Sequence, residues 1–179
     1  MGDGCWLAMG VVAAVAAVGL VRRGSAAELR YRDDPDWKAR FGPKVKARLD
    51  AMPELRPLRD RLLSFGGDEV ALTLEEDLEK ILERGTLLRT WEDTAYSEMP
   101  GEPGQCHRNT AALWEANPDR IAIWTGWALS EDGMWRQHSW GWDIEEGAIV
   151  ETTEDRVMYY GFELTKREAR KFYKENSPW

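Results

Sequence analysis

Cysteine and histidine are scarce in this chain, with two of each in 179 residues. Two cysteines cannot make a disulfide framework. Cys5 lies in an apolar run and Cys106 in a polar loop, so no bridge between them is expected. The same shortage supplies a dedicated zinc site poorly, and no metal or cofactor is expected. Basic residues are also outnumbered, 24 Lys and Arg against 32 Asp and Glu, for a net charge of −8. That balance argues against a nucleic-acid partner, because phosphate binding needs a basic footprint. The acidic residues are spread along the chain and read as a solvated surface. Internal repeats and low-complexity tracts are missing beyond the N-terminal leader. These absences leave Cys106 a free thiol with almost no competing use.

Tryptophan, by contrast, is abundant. Seven of the ten fall between Trp91 and Trp142. Such side chains dominate cores and also line pockets. Core filling is the expected use for most of them.

The uncharged run Cys5 to Val21 is 17 residues long, at the short edge for a spanning helix and on the long side for a signal peptide. Arg22 and Arg23 follow it, which by the positive-inside rule places the C-terminal side in the cytoplasm. A membrane anchor with a cytoplasmic domain is therefore expected, with membrane association through residues 5–21. Ser25-Ala26-Ala27 offers a cleavage site, which keeps export as the alternative.

The remainder divides into a helical segment, 28–85, and a core, 86–179. Trp37, Phe41, Val45 and Leu49 form a helical stripe interrupted at Gly42-Pro43. Leu55, Leu58, Leu62 and Leu63 continue the spacing as far as Gly66-Gly67. Thr73 to Glu76 matches a capping box, and Gly85 sits where a helix cap is wanted. Beyond it the period changes. Strands are expected at Thr86 to Trp91, Ile121 to Leu129, Trp135 to Ile144 and Ala148 to Thr153, with a helix from Cys106 to Trp114. Thr165 to Glu168 is a second capping box, opening a C-terminal helix. The pattern predicts an α+β fold, with helices packed on a small antiparallel sheet.

A thiol attacks as thiolate, and a helix N-terminus lowers its pKa. Cys106 stands at such a start, beside Gly104. A histidine within reach would complete the activation, and His138 lies on a following strand. Glu151, on the next strand, is the preferred group to orient it. The stretches Gly104-Gln-Cys106-His-Arg-Asn-Thr-Ala-Ala112, Ala122-Ile-Trp-Thr-Gly126-Trp, His138-Ser-Trp140 and Ile149-Val-Glu151-Thr-Thr153 resemble the transglutaminase-like (papain-type) core in order and spacing. The resemblance covers about fifty residues. It implies that Cys106 is the nucleophile, His138 the general base and acid, and Glu151 the third member. The reaction implied is peptide or amide hydrolysis, or acyl transfer to an amine, on a peptide or amide substrate.

This chain departs from the family pattern by having Glu for Asp at position 151 and Thr for Pro at 152. A three-residue turn, pairing Ile144 with Ala148, would also point Glu151 away from His138 unless a bulge intervened. Trp140 and Trp142 share a face with His138 and are expected to wall the pocket. Asn109, one turn beyond Cys106, could bond near the thiol or serve as a local cap. His107 is expected to line the helix start. The rival readings are a non-catalytic binding domain with a Trp-rich surface, and a structural membrane-associated protein whose cysteine is simply buried.

Overall fold

The computed structural model describes residues 31–90 and 94–177. The proposed anchor and cleavage site, and Trp91, lie outside them. Among the described residues no helix is long and apolar enough to cross a membrane.

Helix α1, Pro35–Ala51, starts where Asp34 Oδ1 accepts the backbone N–H groups of Asp36 and Trp37, with Pro35 at the first helical position. The helix runs on through Pro43 rather than breaking there. Val45 and Leu49 beyond the proline are buried in the core, and that burial outweighs the lost hydrogen bond. After a short 3-10 turn, α2 covers Arg56–Phe65 and α3 covers Leu78–Arg84. The capping box expected at Thr73 does not form. Thr73 Oγ1 instead donates to Gln137 Oε1, and Glu75 turns inward to accept the Trp127 indole N–H at 2.9 Å. A tertiary partner takes the Thr73 hydroxyl, and α3 begins only at Leu78. Gly85 does cap α3, in extended backbone. A side chain there would collide with the Ile81 carbonyl and the Tyr160 ring.

The strands are β1 Glu69–Val70, β2 Thr86–Arg89, β3 Ala95–Glu98, β4 Ile121–Leu129, β5 Met134–Asp143, β6 Ala148–Glu151 and β7 Met158–Glu163. They form one curled sheet in the order β2-β7-β4-β5-β6-β3, with β1 added in parallel to β5. Helix α4, Cys106–Ala116, precedes β4, and α5, Lys166–Asn176, closes the described chain. The box at Thr165 does form: Glu168 N–H donates to Thr165 Oγ1, and Thr165 N–H to Glu168 Oε2. The architecture is of the α+β class that the sequence predicts, but the sheet is mixed and not antiparallel throughout, because β1 joins β5 and β3 joins β6 in parallel.

Alternation along the strands gives the sheet two different faces. On one, Leu55, Leu58 and Leu62 pack with Trp127, Trp135 and Tyr160. These side chains are fully buried, each worth roughly 1.5–3 kcal/mol of burial. The other face carries Trp140, Ile149 and Tyr159, flanked by Tyr96, Trp124 and Trp142. His138 belongs to this second face, beside Trp140 and Tyr159.

Candidate active site

The sheet leaves a place for the nucleophile helix. Strand β6 pairs with β5 at Gly141–Asp143, and β1 pairs with it at Met134–Trp135. Between them, that side of β5 has no strand partner among the described residues, and α4 packs on β5. Thr110, fully buried, donates from Oγ1 to the Ser139 carbonyl at 3.1 Å. Cys106 lies four residues earlier, on the same face of the helix. The bond from Thr110 therefore fixes where the thiol falls along β5. Asn109 secures the approach to the helix. Its Nδ2 donates to the carbonyls of Glu102 and Thr152, at 2.9 and 3.1 Å, and its Oδ1 accepts the Glu102 N–H. This places Asn109 as a brace between the 99–105 loop and the end of β6.

The turn between β5 and β6 decides where Glu151 points. It spans four residues, with Asp143 opposite Ala148, and not three. Asp143 Oδ1 accepts the N–H groups of Glu145 and Glu146, and Gly147 takes the left-handed conformation at φ +62°. The extra residue shifts the pairing by one. Glu151 comes onto the face of His138 with no bulge required.

Glu151 Oε2 and Oε1 lie 2.9 and 3.2 Å from His138 Nε2. Both side chains are almost wholly buried, at 1% and 2% exposure. Four further donors reach the same carboxylate. Tyr159 O–H donates to Oε2 at 2.7 Å, while Thr152 N–H, Thr153 N–H and Thr153 O–H all donate to Oε1. Burial alone would raise the Glu151 pKa, but His138 and these donors hold it down at about 2. The ionised carboxylate and the thiol in turn raise His138, against the effect of its burial. With Nε2 engaged by Glu151, Nδ1 is the ring nitrogen left for Cys106. Burial also pushes the thiol up, but hydrogen bonds from His107 and His138 overcome it, bringing Cys106 down to about 5. Cys106 keeps part of its surface open.

His107 does more than line the helix start. Its Nδ1 lies 3.8 Å from Cys106 Sγ and 2.8 Å from Ser139 Oγ. Side chains in the first turn both lean toward the helix N-terminus, so a separation of about 100° around the axis does not keep them apart. Trp140 is fully buried and lies nearly parallel to the His138 ring, with centroids 6.2 Å apart, so it backs the imidazole from inside the protein. Trp142 is half-buried against Trp124. The structure thus brings Cys106, His138 and Glu151 together. Thr110, Tyr159 and Ser139 are further parts of the site that the sequence reading did not single out. A buried Thr one turn after the nucleophile was the available signal for Thr110. Tyr159 had none, since its strand was not read.

Among the described residues, no group of three or more His, Cys, Asp or Glu is arranged to hold a metal ion. Comparison with protein-family models, with curated proteins and with solved structures finds no match to this chain.

Proposed function

We propose that this protein performs thiol-dependent acyl chemistry at amide bonds, as a hydrolase or an acyltransferase on a peptide or amide substrate. In this reading the nucleophile helix, the histidine strand and the carboxylate strand form a transglutaminase-like (papain-type) core. The observation that carries the proposal is the buried Glu151–His138 pair set against a thiol lowered to about 5. A cysteine that merely fills space is not expected to have two imidazoles lowering it.

The chemistry follows from the charges. The lowered thiol and the raised imidazole favour a thiolate–imidazolium resting site. Cys106 Sγ attacks the carbonyl carbon, and the charge develops on the carbonyl oxygen. The Cys106 backbone N–H, at the first helical position, has no acceptor within its own helix and is the natural donor to that oxygen. Collapse breaks the C–N bond as His138 Nδ1–H gives its proton to the leaving amine, which leaves a thioester on Cys106 and a neutral His138. Glu151 keeps the ring oriented throughout and stays ionised. Water or an amine then attacks the thioester and releases the thiolate.

Iodoacetamide labelling of Cys106 against pH tests the proposal, with peptide masses separating Cys106 from Cys5. A thiolate labels, so the rate should rise through about pH 5 and be fast by pH 7. In His138→Ala the rise should shift to higher pH, because one of the two imidazoles that lower the thiol is gone. Slow labelling in the native protein that rises only above pH 8, unchanged by His138→Ala, overturns the catalytic reading and favours a binding domain.

A further inference from the structure

Helix α1 is charged oppositely to the protein as a whole. In a chain of net charge −8 it carries Lys38, Arg40, Lys44, Lys46 and Arg48 against Asp36 and Asp50. Arg40, Lys44 and Arg48 are spaced four apart, so they share one stripe of the helix, and all three are exposed. Arg40 lies over the Trp37 ring at 5.9 Å and Lys44 over the Phe41 ring at 5.5 Å. Among the described residues none of the three meets a carboxylate, whereas Arg32, Arg59, Arg120 and Arg136 each hold one. Asp36 is confined to the first turn, and Asp50 is bound to Lys46 at 2.6 Å on the other side of the helix. Beside the stripe runs a groove of about 530 Å3, lined by Phe41, Val45, Ala51 and Leu72 together with Lys44 and Arg48.

The place of α1 in the chain points the same way. Tyr31, just before it, is buried and donates its N–H to the Asp132 carbonyl at 2.8 Å. Residues 22–30 alone separate it from the uncharged run Cys5 to Val21. Even fully extended, they reach at most about 30 Å. We propose that this face of α1 docks on an anionic phospholipid bilayer. Arg40, Lys44 and Arg48 meet the lipid phosphates, and Trp37 and Phe41 lie at the depth of the headgroups. The inference is independent of the acyl chemistry and adds a second contact to the membrane association expected of residues 5–21. With that run in the bilayer, the short connection keeps α1 at high local concentration beside it.

The test uses the full chain on vesicles of phosphatidylcholine, alone or with about a third phosphatidylserine, a content at which each basic residue adds to binding. Acetylation of each lysine amine is timed by peptide mass. Lys44 should react about tenfold more slowly on the anionic vesicles than on the neutral ones, while Lys46 keeps its rate. Salt at about 1 M, where charges act over only about 3 Å, should restore the Lys44 rate. Arg40→Gln combined with Arg48→Gln leaves the reporting lysine in place and should remove most of its protection. Equal Lys44 rates on the two vesicles, or equal slowing of Lys44 and Lys46, overturn the proposal. So does slowing that grows with protein concentration in the absence of lipid, which assigns the face to a second copy of this chain.

Discussion

Five donors converge on Glu151, from His138, Tyr159, Thr152 and two groups of Thr153. An ionised carboxylate offers only acceptors, so this shell suits the charged form and no other. Glutamine at the position would bring two unwanted N–H groups and lose the charge. Glu151→Gln should therefore lower the His138 pKa and move the labelling midpoint of Cys106 upward from about 5. It should also cost about 1–3 kcal/mol in urea unfolding, because buried donors lose their acceptor. The sign for the native protein is fixed by the direction of the shift. Glu151 is held below its ordinary 4.5, at about 2, so its stabilisation is complete above pH 4.5 and is lost as pH falls through about 2. An acid titration of stability should show that loss in the native protein and a shallower one in Glu151→Gln.

The turn from Asp143 to Ala148 governs the element scale. Asp143 accepts the two turn N–H groups on one oxygen and the Arg120 guanidinium on the other, at 2.6 and 2.9 Å. Asp143→Ala should cost about 1–3 kcal/mol of stability, measured by chemical denaturation, and broaden the register choice of β6. This turn also shows what was legible in the sequence. The three-residue turn between Ile144 and Ala148 is legible from its residues, but the part played by the side chain of Asp143, which sets the length at four, is not. Strand β4 could be read to the residue, because turn signals bound it on both sides. Strand β7 could not. It is central, lying between β2 and β4, so Tyr159 to Phe162 are buried on both faces and show no alternation. Strand β3 is an edge of polar side chains held by backbone pairing to β6, and only the folded partner reveals it. The thiol and imidazole were legible as a pair. The third member was legible by residue type but not by face.

Across the whole molecule, one apolar cluster joins the N-terminal helices to the sheet. Leu58 sits inside it with no exposed surface. Leu58→Ala should destabilise the protein by about 2–5 kcal/mol and lower its melting temperature, far from the thiol but felt there through β5. The plateau of Cys106 labelling should be unchanged at temperatures where the variant is folded, which separates packing from chemistry. The order of contacts along the chain has a consequence in time. Strands β4, β5 and β6 follow one another through short turns, and α4 directly precedes them. By contrast, β1 must find β5, with Glu69 opposite Met134, and β2 must find β7, with Thr86 opposite Gly161. Near contacts form sooner than distant ones. During refolding the nucleophile, the imidazole and the carboxylate thus meet early, together with Tyr159, which lies eight residues from Glu151 and whose strand pairs with β4. Strands β1 and β2 arrive last, so the catalytic groups are assembled before the frame around them is complete.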